Sequence, residues 1–478
     1  MAGDRAPTGI YGLDLLIDGG FPRGSLILLA GNPGTGKTIF SAQYIYRGVK
    51  EYGEPGIYVS LCESKDAFYK SMLRFGFDFS RLEETGDFRY LDLVTMKGKG
   101  VSQIIRMIID AIYEMKAKRL VIDSFSALVQ ALEKPIDARI LLQTILSRII
   151  RAVKCTTILV SEVPFGSERI GASVEEFVAD GVIILRKGEH GEGRLAREIS
   201  ITKMRGTRLT QPLYFFTLED GFRVFQPLEL QRCERKGRFR PITDPPGRFS
   251  TGSSDLDRIL GGGYRKGGIV LFEIGENISN FNWQLILFPT LANFIAKNRG
   301  CLIVPIGGSD AGLLASKMKR MYGFTDDELN GLLRVFGLSV GDGMESPYLI
   351  RVKGEDIMED YDVWIRTIEE LKNRTGQPIL EVISIDTMEI TYGIAGLRRL
   401  LGMTVARTRR EGNLTIGIVG PGSERVSKRV AALSDVHIKL IRDHGTPLLY
   451  GCKPRTALYA VEIDQTSPYP LPRLTQMT

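Results

Sequence analysis

Histidine is nearly absent. The chain has three in 478 residues, His190, His437 and His444, and they fit no metal-ligand spacing. The five cysteines (Cys62, Cys155, Cys233, Cys301 and Cys452) are scattered, which excludes zinc knuckles and redox CxxC pairs. Long hydrophobic runs are missing too. The longest mostly apolar stretch, Gln284–Ala296, is broken by Pro289 and Asn293, and a bilayer span needs about 20 apolar residues. The first residues, Met1 to Pro7, hold no apolar core of a signal peptide. These absences lead us to expect a cytoplasmic protein without a membrane partner. Charge is balanced to within a small excess, 63 Lys+Arg against 56 Asp+Glu for a net of +7. What is present is ordinary for a globular protein, 43% hydrophobic and 25% charged, and excludes disordered, collagenous and coiled-coil classes. At roughly 100–200 residues per domain the length suggests two to four domains.

The chain repeats itself. Thr8-Gly9 with Leu13-Asp14 recurs as Thr251-Gly252 with Leu256-Asp257, Gly19-Gly20…Gly24 as Gly262-Gly263…Gly267, and Gly166–Arg169 as Gly422–Arg425. The order is kept, as expected of a duplicated domain. In the first copy, short apolar runs (Leu26–Ala30, Gly56–Leu61, Leu120–Ile122, Thr157–Val160, Val182–Leu185) alternate with helical patterns at Ile39–Lys50, Ala67–Phe75, Val101–Lys116 and Ala138–Val153. Unalternated β-branched runs read as buried parallel strands, and strand–helix alternation as a doubly wound α/β sheet. Glu198–Lys203 and Leu213–Thr217 read as an antiparallel edge. We therefore expect two tandem α/β domains, each a mostly parallel sheet, over 1–230 and 249–478. Residues 231–248, rich in Arg and Pro, read as a stiff linker.

Gly31, Asn32, Pro33, Gly34, Thr35, Gly36, Lys37 and Thr38 fit GxxxxGK[ST] between a strand and a helix that carries Ile39. Such a loop aims backbone N–H groups at phosphate oxygens at a helix N-terminus. Lys37 then meets the β/γ-phosphates and Thr38 holds Mg²⁺. Asp123 ends the buried run Arg119–Ile122 and is the expected second Mg²⁺ holder. ATP and Mg²⁺ are the implied ligands.

With these residues, together with Val121-Ile122-Asp123-Ser124, Val174–Asp180 and Lys203-Met204-Arg205-Gly206-Thr207, the sequence resembles the RecA-superfamily ATPases of the KaiC type, in their two-domain form. It is similar to the archaeal KaiC-like proteins, some of which carry a gas-vesicle regulator label. The resemblance implies two RecA-like domains and a hexameric ring with ATP at subunit interfaces. It also implies that Lys203 and Arg205 reach a neighbour's phosphates in trans, while Thr207 and Asp220 line the neighbour's nucleotide. The family ends the strand after the phosphate-loop helix with paired glutamates. Here Cys62 takes the first position and Glu63 the second. A thiol is a weak acceptor with a pKa of about 8.5, so slow hydrolysis is expected, with Glu63 as base.

The second copy has lost the loop. Phe281 stands where lysine is required, with Asn280 and Asn282 beside it, and Asp386 outlasts the loop as a cap or hydrogen-bonding residue. A pseudo-ATPase domain that serves assembly or an unknown protein partner is expected, without the family's autokinase chemistry. Two alternatives stand beside the slow regulatory ATPase. One is a nucleic-acid-binding recombinase- or helicase-like ring using the basic stretch 232–248. The other is a non-hydrolysing scaffold held together by ATP.

Overall fold

The computed structural model describes residues 4–94, 101–130, 147–163, 178–227, 237–306, 311–338 and 346–478. The Gly166–Arg169 motif, most of Val174–Asp180 and the first part of the helix expected over Ala138–Val153 lie outside the described residues. The chain divides into two units, Met1–Gln226 with Gln476–Thr478, and Pro227–Thr475.

In the first unit Leu26–Gly31 (β1) is fully buried and leads through the phosphate loop into Lys37–Tyr52 (α1). Gly56–Ser60 (β2), Lys65–Leu73 (α2), Phe88–Asp92 (β3), Val101–Met115 (α3), Arg119–Asp123 (β4), Phe125–Gln130 (α4), Ser147–Val153 (α5) and Thr156–Glu162 (β5) follow. Gly181–His190 (β6), Arg194–Met204 (β7), Leu213–Thr217 (β8) and Arg223–Val224 (β9) complete it. The strand order is β9-β8-β7-β6-β1-β5-β4-β2-β3. β6 through β3 run parallel and β7 to β9 add the antiparallel edge. Helices cover both faces because the parallel strands are apolar on both sides, and two hydrophobic clusters pack there.

The second unit repeats the plan. Its elements are Ile269–Ile274 (β10), Asn280–Ala296 (α6), Cys301–Val304 (β11), Ala311–Tyr322 (α7), Asp326–Leu332 (α8), Leu333–Leu338 (β12), Leu349–Val352 (β13), Ile357–Thr375 (α9) and Leu380–Ser384 (β14). Then come Ile385–Glu411 (α10), Leu414–Val419 (β15), Glu424–Leu433 (α11), Val436–Asp443 (β16), Thr446–Lys453 (β17), Tyr459–Ile463 (β18) and Pro472–Gln476 (β19). The order is β13-β12-β11-β14-β15-β10-β16-β17-β18-β19.

The duplication survives as matching hydrogen bonds. Asp14 accepts from Thr8 N at 2.9 Å, and Asp257 from Thr251 N at 2.7 Å. Asp180 accepts from Leu26 N at 3.0 Å, and Asp435 from Ile269 N at 2.9 Å. The two α/β units with mostly parallel sheets agree with the fold read from the sequence.

The linker reading needs correction over 237–248, which belongs to the second unit. Phe239 is buried in that unit's core and its N–H donates to Tyr322 O at 2.9 Å. Asp244 holds Lys297 at 2.6 Å and Arg299 at 2.7 Å, and Arg238 pairs with Glu328 at 2.5 Å. One aromatic anchor among prolines and charges turns this arm into part of a core. Residues 231–236 lie outside the described residues.

Candidate nucleotide site

The phosphate loop joins β1 to α1 at the carboxyl end of the sheet. The approach is tight. A Cβ on Gly31 would lie 2.6 Å from Leu185 O, and Gly36 adopts φ 102°, where a Cβ would lie 3.1 Å from Leu218. Both positions therefore need glycine. α1 begins at Lys37 with no side chain capping it and no acidic residue in its first turn. Its leading N–H groups and the positive end of its dipole are thus left for an anion.

Lys37 Nζ donates to Gly31 O and Asn32 O, each at 2.9 Å. Burial pushes its pKa down, while the charges of Glu162 and Asp123 oppose this. Thr38 Oγ1 donates to Asp123 Oδ2 at 3.0 Å, and Tyr58 Oη to the same oxygen at 2.7 Å. Burial raises the Asp123 carboxyl, and these hydrogen bonds partly offset it. A hydroxyl and a carboxylate oxygen at that separation form the hard-oxygen pair that suits Mg²⁺, so the residues present fit the ion. Asn32 is fixed by its Nδ2 donating to Val163 O at 2.9 Å. Pro33 and Gly34 are exposed at the loop tip, Thr35 is buried beneath, and Ile39 packs on the core.

Glu63 follows β2, half-buried, and its carboxylate has no hydrogen-bond partner among the described residues. Burial raises its pKa, and the charge of Asp123 adds to the effect. Its backbone is clamped by Ser60 Oγ donating to Glu63 O at 2.9 Å and Tyr90 Oη at 2.8 Å. Cys62 is exposed, with Sγ 3.8 Å from Ser124 Oγ.

Lys37, Thr38, Asp123 and Glu63 thus converge, whereas Lys203, Arg205 and Thr207 do not. Gly31 pairs with Leu185, but Lys203 pairs with Val182, and Arg205 N donates to Asp180 O. The five residues from Asp180 to Leu185 span roughly 16 Å of strand. Arg205 is therefore at the opposite end of the strands from its own loop, and its guanidinium meets Asp180 at 2.9 Å. Asp220 is exposed in the turn after β8, two residues beyond Leu218, whose side chain packs on Gly36 of the loop.

Two residues were missed. Glu162 ends β5 and acts electrostatically on Lys37 and Asp123, and Tyr58 anchors Asp123. An acid ending a buried run was the signal that found Asp123, and the same signal stands at Glu162.

In the second unit Ser279 caps α6, its hydroxyl accepting from Asn282 N at 3.4 Å. The helix N-terminus that would meet phosphate is thus partly satisfied from within. Counting from the matched starts of β1 and β10 puts Asn280, rather than Phe281, at the lysine position; neither is charged. Counting along paired strands (Leu26, Thr157, Leu120 against Ile269, Thr415, Glu381) puts Ser384 opposite Asp123. Asp386 lies two residues beyond and accepts from Gly420 N at 2.6 Å, while Ser384 caps α10.

Glu273, in β10, accepts from His437 at 2.9 Å and Ser427 at 2.6 Å, with Lys439 at 3.3 Å. Led by the His437 hydrogen bond, these hold its pKa down to about 2 from 4.5. A depressed folded-state value stabilises the fold above the unfolded pKa and is lost as pH falls through the folded one. Acid titration from pH 5 to 2 should therefore cost the wild type on the order of 2–3 kcal/mol more than Glu273→Gln. Parallel losses followed by circular dichroism would contradict this.

Comparison with known proteins agrees with the geometry. The family model described as the KaiC ATPase matches residues 6–229, and one described as GvpD basic region 2 matches 238–325. The chain is 27% identical over 482 residues to protein GvpD2 of Halobacterium salinarum, covering 95% of this chain and 94% of that one. It is 38% identical over 244 residues to a UPF0273 protein of Pyrococcus horikoshii, covering 48% of this chain and 96% of that protein. It is 31% identical over 341 residues to the circadian clock oscillator protein KaiC of Thermosynechococcus vestitus, covering 69% and 63%. With Lys37, Thr38 and Asp123 gathered at the carboxyl end of a RecA-like sheet, the chain belongs to the KaiC-like family of P-loop ATPases.

Proposed function

We propose that the first unit binds ATP with Mg²⁺ at the interface of a homo-oligomeric ring and hydrolyses it slowly, and that the second unit is a pseudo-ATPase serving assembly or partner binding. The observation that carries this reading is the convergence of Lys37, the Thr38–Asp123 pair and the unpartnered Glu63 carboxylate around an uncapped helix N-terminus. ATP is the substrate. Lys37 exchanges its two loop carbonyls for phosphate oxygens, and the first-turn N–H groups of α1 supply further donors. Thr38 and Asp123 would hold the Mg²⁺, whose chemistry is to neutralise charge building on the phosphates. Glu63, its carboxyl raised by burial, accepts a proton from the attacking water. The neighbouring copy's Lys203 and Arg205 supply positive charge from outside, since this chain's own are about a sheet's length away.

Because one ATP contacts two copies, binding and assembly are linked. Mass measurement in solution should show a larger species with ATP·Mg²⁺ for the wild type and none for Lys37→Ala. Glu63→Gln should keep assembly and slow turnover by about 10²–10⁴-fold, and Cys62→Glu should raise it. Assembly without measurable turnover in the wild type, unchanged by Cys62→Glu, would favour the scaffold. The exposed Cys62 thiol, standing where the first of the paired carboxylates is expected, favours that reading. The nucleic-acid reading loses support because Arg238 is engaged by Glu328.

A further inference from the structure

The second unit holds a crevice that the nucleotide chemistry leaves unused. Strands β11 and β14 are adjacent and parallel, but the chain leaves them in opposite directions. From β11 it goes through α7 and α8 to the outer strand β12, and from β14 through α10 to the inner strand β15. Open α/β sheets bind ligands at such a point, because the diverging connections part beyond the carboxyl ends of the strands. A cavity of about 270 Å³ sits there, near the lower end of the roughly 300–1,000 Å³ typical of small-ligand sites.

Its walls come from all sides of the divergence. Ile306 follows β11, Ile383 belongs to β14, Met388 lies on α10, Val352 ends β13, and Phe336 and Trp364 bring rings from β12 and α9. Those two rings pack with centroids 4.6 Å apart. Among the described residues Asp360 is the one charged group in the lining, and it is already engaged. It accepts from Lys353 N at 3.2 Å, Gly354 N at 2.8 Å and Tyr392 Oη at 2.8 Å. The remaining polar side chains of the lining are Thr387, Thr391 and Thr404 with Tyr361, Tyr392 and Trp364. No lysine or arginine faces the cavity among the described residues, so it is not built for phosphate.

The corresponding divergence in the first unit lies between β2 and β4. There it carries Cys62, Glu63, Asp123 and Ser124. At the position of Asp123 the second unit has Ser384, turned to capping α10. The same topological crevice is thus polar where the phosphate loop is present and apolar where it is lost.

We propose that this crevice is a binding site for a small, neutral, largely apolar molecule carrying at most one hydroxyl. The apolar walls favour burial of hydrocarbon, and the engaged Asp360 carboxylate disfavours an anion. The inference stands apart from the nucleotide chemistry.

The test uses the full-length protein with Trp283→Phe, which leaves Trp364 as the only tryptophan, since the chain has two. The probes are 4-tert-butylcyclohexanol and its carboxylate and ammonium counterparts, which share one optically silent frame. The alcohol should change Trp364 emission saturably, and at least about tenfold more tightly than the carboxylate. Lys37→Ala should leave this unchanged, so failure of the nucleotide reading and failure of this one are separable. Thr404→Phe and Val352→Phe, which fill the cavity, should abolish the response. Independently of whether those variants fold, nuclear Overhauser contacts should join the tert-butyl group to the Met388 methyl. No saturable response to the alcohol, equal affinity for the carboxylate, a response surviving both folded filled variants, or contacts only elsewhere would overturn the proposal.

Discussion

Replacing Arg205 with alanine should leave ATP binding to the assembled protein nearly intact and lower turnover by about 10³-fold or more, the usual worth of a trans-acting arginine. In a single chain Arg205 pairs with Asp180 while more than half exposed. The buried Asp180 keeps Arg151 at 3.1 Å and the Leu26 N–H at 3.0 Å when Arg205 is gone, so its charge is not left unpaired and lost stability does not account for a loss of that size. The sharper experiment mixes two inactive variants. Arg205→Ala keeps Glu63, and Glu63→Gln, which still assembles, keeps Arg205. If the arginine acts across an interface, a 1:1 mixture of the two restores activity at about a quarter of the interfaces, those pairing an intact Glu63 with an intact arginine in a head-to-tail ring. A mixture as inactive as its parts would show that the arginine acts within its own chain or not at all.

Arg119→Ala should be the most destabilising single change in the first unit. Arg119 begins β4, its side chain is fully buried, and every described contact holds its charge in place. Nε donates to Glu54 at 2.6 Å, NH1 to Tyr44 O at 2.8 Å and NH2 to Pro7 O at 2.7 Å, and the guanidinium lies 4.5 Å from the Tyr44 ring centre. Removing it leaves Glu54, which still keeps Arg23, and two backbone carbonyls short of donors. Breaking a buried pair this way costs about 3–5 kcal/mol, which for a domain of this size lowers Tm by about 10 °C. Arg119→Met, which keeps the volume, should cost less. Differential scanning calorimetry that finds the alanine variant within a degree of wild type would contradict the prediction.

The site divides along the same line as the fold. Lys37, Thr38 and Asp123 were legible because their chemistry is local: a loop closing on a helix, and an acid ending an apolar run. Glu162 carried the same signal as Asp123 and was passed over. Tyr58 could not be found, because a tyrosine in a run of buried residues looks like core until its hydroxyl meets Asp123. The arm at 237–248 looked like a linker because one phenylalanine among arginines and prolines does not form a pattern. Asp386 matched Asp123 by motif, but strand pairing moved the position to Ser384, since register is set by hydrogen-bonded neighbours and not by letters.

By itself the sequence determined that this is a duplicated α/β chain, that one copy carries a phosphate loop, and that the other has lost it. Periodicity, repeats and short motifs are properties of neighbours along the chain, so they can be read there. Only the tertiary structure decided which side chains meet. It put Arg205 at the opposite end of the strands from its own loop and Leu218 against that loop, and it opened the apolar crevice between β11 and β14. Each of these depends on strand order and register between segments tens of residues apart, which no local pattern encodes.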